Sequence, residues 1–425
     1  MSRAGRRLAR AIGAIAGLGG LSVVVAFTRH HRAPLAPFAP QVAIVVVDGL
    51  RPDLIIPRYA PNMAGLRVRG ASYTNTHSSF PTVTRVNGTV MTTGMFPGHT
   101  GIVGNTLYDP AVDSMVSIST GDDRALERIA AHYGRLVPME TLGEKLVAHG
   151  LRYVVVTSGS TGGSLVVNPQ APKGVGITIN PGLGNGTRVS LTDSVSRAVL
   201  AKFGKPPTAD EMAKEGMGTH GPLVAWADRV LRGYVLPVLK PDVLLYWITE
   251  PDHAQHEHGP GSPQGLAAIA SADSAVGNLL AVLDSAGGKT NLILLSDHGF
   301  VSHSEGVPVS AMLVHAGLKH DRASNDVFVV GDEHIAHIFV KGHDGQKARA
   351  IAKFLEEQPS TAAVFARDST IPGTFSLASV HLDNPTRGAD LVVMLNWTSK
   401  PNAFGIPGEQ MSVANGTSTE IRPIT

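Results

Sequence analysis

Four stretches of the chain are unbroken runs of branched and aliphatic side chains that stop at polar residues: "QVAIVVVDGL" (41–50), "RYVVVTSG" (152–159), "PDVLLYWITEPD" (241–252) and "NLILLSDHG" (291–299). Short apolar runs without alternation suit strands buried on both faces, as in a parallel sheet covered by helices. Between them, "METLGEKLVAHG" (139–150) and "SPQGLAAIASADSAVGNLLAVLDSAGG" (262–288) read as helices, the second with Ser262 as N-cap and Gly287 as stop. Strand alternating with helix predicts an α/β fold, a mostly parallel central sheet flanked by helices on both faces. Residues 160–240 and 304–400 are rich in glycine and read as loop-rich insertions around a cleft.

At the N terminus the pattern changes. Ala11–Phe27 holds a single polar residue, Ser22, between basic flanks, and the Pro-rich "APLAPFAP" follows. This reads as an export signal or a short membrane anchor, with the basic end in the cytoplasm and the globular part outside it. Residues 1–40 are therefore set apart as signal or anchor plus linker, and 41–425 as one large domain. An extracytoplasmic location follows, with membrane attachment if the segment is not cleaved.

Charge adds one exclusion. Of the 36 Lys and Arg, Arg3, Arg6, Arg7, Arg10, Arg29 and Arg32 lie in the first 32 residues, so the remaining 30 face 34 acids. No broad basic surface is left for nucleic acid, and no specific nucleic-acid binding is expected. The chain has no cysteine, which removes disulfides, thiolate metal sites and cysteine nucleophiles.

Three of the four strands end in candidate chemistry: Asp48, then Glu250 and Asp252, then Asp297 and His298. In open α/β sheets the carboxyl edge is where ligands bind. Asp252 and His256 stand at i and i+4, so one helical turn points both at a single metal ion. Asp297 and His298 suit a ligand pair at a strand-to-loop transition. Carboxylate and imidazole without thiol fit Zn²⁺, Mn²⁺ or Fe, with zinc favoured for hydrolysis.

With "VVVDGLRPD", "FPTVTRVNGTVMTTGMFPGHTGIVGN", "EPDHAQHEHGP" and "SDHG" in this order, the chain resembles the alkaline phosphatase superfamily, in its type I phosphodiesterase and nucleotide pyrophosphatase branch. The resemblance implies an alkaline phosphatase-like fold and hydrolysis of phosphodiester or nucleotide pyrophosphate bonds through a phosphothreonine intermediate. It places the nucleophile at Thr84 rather than Thr82, three residues before Asn87, at the head of a helix ending in Thr93 and Gly94. It assigns Asn105 to a non-bridging phosphate oxygen. It further implies two divalent ions, one at Asp48, Thr84, Asp297 and His298, the other at Asp252 and His256. The substrate it implies is a small phosphate ester or nucleotide.

Two departures from the family pattern stand out. Arg85 and Val86 follow Thr84 where the family has a Phe-Pro pair, and Arg85 is a candidate substrate contact. No His-Gly motif follows His298 to complete the Asp252/His256 site. Either the C terminus is truncated or altered, or His253, His258 or His303 substitutes; loss is the favoured reading, so that the second metal binds weakly and activity is low or absent. The rival readings are a phosphomonoester, phosphonate or sulfate-ester hydrolase on the same centre, and a non-catalytic membrane-tethered relative.

Overall fold

A computed structural model describes residues 38–185, 193–214 and 220–414. The apolar N-terminal stretch and the last eleven residues lie outside the described residues. All four predicted runs are strands of one five-stranded sheet, in the spatial order Ile177–Ile179, Tyr153–Thr157, Val243–Ile248, Val42–Val47, Asn291–Leu295. Every pairing in it is parallel, with Val45 opposite Tyr246 on one side and Leu294 on the other.

The continuous hydrophobicity of these strands has the expected cause, since both faces are covered. On one face Ala43, Val45, Val47, Leu244 and Tyr246 pack with Trp226 of the helix Gly221–Val230 and with Ile269, Val276 and Leu279 of the helix Pro263–Ser285. On the other, Val46, Val155, Leu245 and Trp247 meet Leu126 and Ile129 of Asp123–Tyr133 and Leu165 of Thr161–Val167. The Pro263–Ser285 helix starts as the sequence predicts, its Ser262 hydroxyl accepting the Gly265 N–H at 3.0 Å. By length and composition alone it could cross a membrane, but the residues it buries are those of a core helix.

The stretch read as a loop-rich insertion at 304–400 is largely a second sheet. Five strands run in the order Phe375–Ser376, Thr361–Ala366, Leu391–Leu395, Ile335–Val340, Val327–Asp332, antiparallel except at the short Phe375–Ser376 edge. One face packs on the helix Gly345–Glu356 through Ala336, Ile338, Val364 and Ile351, while Ile335, Phe365 and Val392 join the core of the first sheet. The 160–240 stretch is mainly helical, with Asp193–Phe203 and Gly221–Val230 among its elements. Ser302–Val307 pairs with Pro407–Val413 in a third, three-stranded sheet. Because the first sheet is all parallel, Asp48, Ser158, Thr249 and Asp297 emerge on one edge, beside the hairpin tip that joins Val327–Asp332 to Ile335–Val340.

Candidate active site

The first acid follows its strand directly. Trp247 donates its indole N–H to Asp48 Oδ2 at 2.9 Å, which fixes the carboxylate and leaves Oδ1 without a partner. Gly49 comes next, with φ +65°, and a Cβ there would sit 2.9 Å from Asp252 Oδ1. Only glycine allows both that conformation and that approach. Its N–H donates to Asp297 Oδ1 at 3.2 Å, and its carbonyl accepts from Gln255 Nε2 at 2.9 Å. One turn thus ties together the loops after three strands.

His298 is oriented by its own backbone neighbour: Nδ1 lies 2.7 Å from the Gly299 carbonyl, so Nδ1–H donates and Nε2 faces the cluster. From Nε2 the distances are 3.2 Å to Thr84 Oγ1, 3.4 Å to Asp297 Oδ2, 3.5 Å to Asp48 Oδ1 and 3.9 Å to Asp252 Oδ1. Those three carboxylate oxygens are buried, and none has a hydrogen-bond donor. Buried anionic oxygens left bare around an imidazole and a hydroxyl are the donor set of a divalent cation. The ligand atoms of Asp48, Asp297 and His298 all lie within 4.8 Å of one another.

Electrostatics agree with that reading. Burial, and after it the Asp297 charge, pushes Asp48 up to about 7. Burial and then Asp48 raise Asp252 to about 6. Burial alone would lower His298, but Asp297, Asp48 and Asp252 together raise it to about 9. The cluster is strongly anionic for its depth, and a bound cation is what such a group of carboxylates favours.

Thr84 opens the helix Thr84–Thr93, which ends in Gly94 at φ +68°. Asn87 shows why the sequence around it is constrained: its Oδ1 accepts the Ser79 N–H at 2.7 Å, and Nδ2 donates to the Val83 and Ser79 carbonyls at 3.2 and 3.3 Å. It clamps the turn that aims Thr84 at the cluster, whereas Thr82 is exposed. Asn105 meets the same helix head, its Oδ1 accepting the Arg85 N–H at 3.0 Å. Its amide nitrogen makes no hydrogen bond among the described residues.

Asp252 and His256 do share one face of the helix Asp252–His258, with His256 Nε2 3.5 Å from Asp252 Oδ2. Asp252 therefore turns one oxygen to each imidazole, Oδ1 to His298 and Oδ2 to His256. Of the three imidazoles named as substitutes, His253 stacks on His220 at 3.5 Å and His258 lies 3.7 Å from Glu257. His303 makes a ring contact with His256, with centroids 6.2 Å apart, and its Nε2 is 3.8 Å from Glu333 Oε2.

Sequence reasoning missed the hairpin tip altogether. Asp332 accepts the Asn105 backbone N–H at 2.7 Å. Burial raises Asp332 to about 7 and lowers His334, two residues on, to about 4. Glu333 holds φ +56°, a strained setting for a non-glycine residue, between these two. No local pattern marks the three, because their partners lie far away in the chain.

The family model described as type I phosphodiesterase / nucleotide pyrophosphatase matches residues 42–402. The chain belongs to this family. Venom phosphodiesterase 2 of Crotalus adamanteus is 25% identical over 242 residues, 56% of this chain and 24% of that protein, so the match spans about a quarter of the length of such curated relatives. Among solved structures, phosphonoacetate hydrolase of Sinorhizobium meliloti with phosphonoformate superposes with a TM-score of 0.60 at 19% identity, covering 88% of this chain and 83% of that one. An inactive form of murine ectonucleotide pyrophosphatase/phosphodiesterase 5 with AMP gives 0.54 at 19%, covering 84% and 79%. At these identities the two structures establish the shared alkaline phosphatase-like fold.

Proposed function

We propose that this family member hydrolyses phosphodiester or nucleotide pyrophosphate bonds with Thr84 as nucleophile. The observation that carries the reading is Thr84 Oγ1 at 3.2 Å from His298 Nε2, against three buried carboxylate oxygens that have no donor. Two divalent ions, zinc by the oxygen-and-imidazole donor set, would be held by Asp48, Thr84, Asp297 and His298 and by Asp252 and His256, with His303 and Glu333 beside the latter pair; they would offset phosphoryl charge and lower the pKa of a hydroxyl or water.

Thr84 Oγ1 forms the bond to phosphorus as the ester or anhydride oxygen departs, giving a phosphothreonine, and water then displaces the phosphoryl group from Thr84. The Asn105 amide donates to a non-bridging oxygen, and the helix head favours the negative charge gathered there. Arg85 lies against the same substrate. The basic-flanked apolar segment at 11–27 supports an extracytoplasmic site of action.

The test compares Thr84→Ala with Thr82→Ala on a bis-aryl phosphate. Thr84→Ala is expected to lose about a thousandfold or more in turnover, and Thr82→Ala to stay near wild type. Acid-quenched wild type should carry phosphate on the peptide containing Thr84. A dead Thr82→Ala beside an active Thr84→Ala overturns the assignment, and faster turnover of the mono-aryl ester would move the activity to monoesters.

A further inference from the structure

Arg85, set against the substrate above, has not yet been given a group to bind. Its guanidinium forms no ion pair among the described residues, and its Nε is buried without a hydrogen-bond partner. A buried N–H donor without a partner is costly unless a ligand completes it. Arg85 and Thr84 together line a cavity of about 160 Å³, whose walls include Asp48, Asp252, Ser160 and Trp247. The cavity therefore borders Thr84, the carboxylates Asp48 and Asp252, and Arg85 at once.

Two further facts define what Arg85 is free to do. Its backbone N–H is already spent on Asn105 Oδ1, so the residue is fixed at its root and only the fork is available. The fork lies on a bare backbone: a Cβ at Gly121 would stand 3.2 Å from Arg85 Nη2 and 3.4 Å from Ser119 Oγ. Oxygens of the reacting phosphoryl group have Asn105, the helix head and the cation cluster to meet them. The guanidinium acts at longer range on the buried Asp332 carboxylate but forms no ion pair with it, so its donors are left for another anion.

We propose that the cavity receives the substituent retained on phosphorus, and that Arg85 selects substituents carrying a second negative charge, a carboxylate or a further phosphate. This rests on the Thr84 reading above and deepens it to a substrate class. The volume suits a compact group, and the planar fork with its fixed donor geometry suits an oxyanion with two adjacent oxygens.

Three p-nitrophenyl phosphodiesters sharing one leaving group test it, with ethyl, carboxymethyl or phosphonomethyl as the retained group, on zinc-loaded protein at low salt. Wild type is expected to show kcat/KM about tenfold or more higher for at least one anionic ester than for the ethyl ester, the size of one charge-assisted hydrogen bond. A preference for carboxymethyl alone names a carboxylate, and for phosphonomethyl alone a phosphate. Arg85→Gln should collapse that ratio, Arg85→Lys restore part of it, and Gly121→Ala, which displaces the fork, lower it partway.

The proposal is overturned if wild type shows no preference, or if Arg85→Gln lowers all three esters by one factor, which would give Arg85 to the reacting phosphoryl group instead. Absence of turnover with every ester would sink the hydrolase reading separately. Calorimetric titration of the three esters into Thr84→Ala protein reads the preference with no reaction, so the selectivity stands or falls on its own.

Discussion

Thr84 Oγ1 lies 3.2 Å from His298 Nε2 across 214 residues of chain. The helix head that carries one and the strand end that carries the other belong to different parts of the fold, and several independent clamps hold them in register. Asn87 fixes the turn before Thr84, Gly299 fixes the His298 ring, and Gly49 bridges to Asp297. The site is therefore sensitive to residues that touch no substrate.

Asp332 is the clearest of these positioning residues. Its carboxylate receives the Asn105 N–H at 2.7 Å and lies so close to Gly104 that a Cβ there would be 2.5 Å from Oδ2. Asp332→Ala frees the Asn105 loop, and kcat should fall by roughly ten- to a hundredfold with KM changed little, since misplacement costs the transition state most. In a double-mutant cycle with Asn105→Ala the losses should be far from additive. Additive losses would show that Asp332 acts elsewhere.

The residues that the sequence made readable are those whose signal is local. Val42–Val47 and Val243–Ile248 are buried on both faces, so their apolar runs are continuous and visible. Asp252 and His256 follow from one helical turn. Ile177–Ile179 is too short to stand out, and the second sheet was obscured by glycines and by polar residues such as His337 and Asp332 inside its strands. Glu333 and His334 gain meaning only from His303 and His256, which the chain brings near them through tertiary pairing.

Zinc titrated into chelator-stripped protein should bind in two steps, the tighter at the Asp48 cluster and the weaker at Asp252 and His256. His256→Ala, His303→Ala and Glu333→Gln should each remove the weaker step and leave the tighter one. Asp48→Asn should do the reverse, and it should also raise the thermal stability of the metal-free protein, because it removes one of the three carboxylates gathered around His298. Two unaltered steps in His303→Ala would exclude His303 from the site.

His337 predicts a pH dependence of stability. It is fully buried, neither ring nitrogen has a partner, and burial lowers its pKa to about 4. The unfolded chain takes up this proton near 6.5 and the folded one only near 4, so stability is full above 6.5, declines between these values and is flat below. At about 1.4 kcal/mol per unit, the loss from this residue amounts to roughly 3 kcal/mol. Other buried groups titrate in the same window, so the measurement is the difference in urea midpoint between wild type and His337→Leu from pH 7.5 to about 4.5. A difference that does not change with pH would rule out the assignment.

Asn87 separates hydrogen bonding from charge at the head of the Thr84–Thr93 helix. As an amide it is satisfied at both ends: Oδ1 accepts from Ser79 N, and Nδ2 faces the carbonyls of Ser79, Pro81 and Val83. Asn87→Ala abandons these groups in a buried turn and should cost about 2 kcal/mol of stability, together with activity, because Thr84 is aimed by that turn. Asn87→Asp keeps the acceptor but turns a carboxylate oxygen toward three carbonyl oxygens. At neutral pH it should be no more stable than Asn87→Ala. On acidification the carboxyl gains a proton and can donate to one of those carbonyls, so Asn87→Asp should recover relative to Asn87→Ala as pH falls toward 5. Urea denaturation of both variants at pH 7 and at about pH 5 reads the sign. If Asn87→Asp matches wild type at pH 7, the donor end of Asn87 contributes nothing and the turn is held by other contacts.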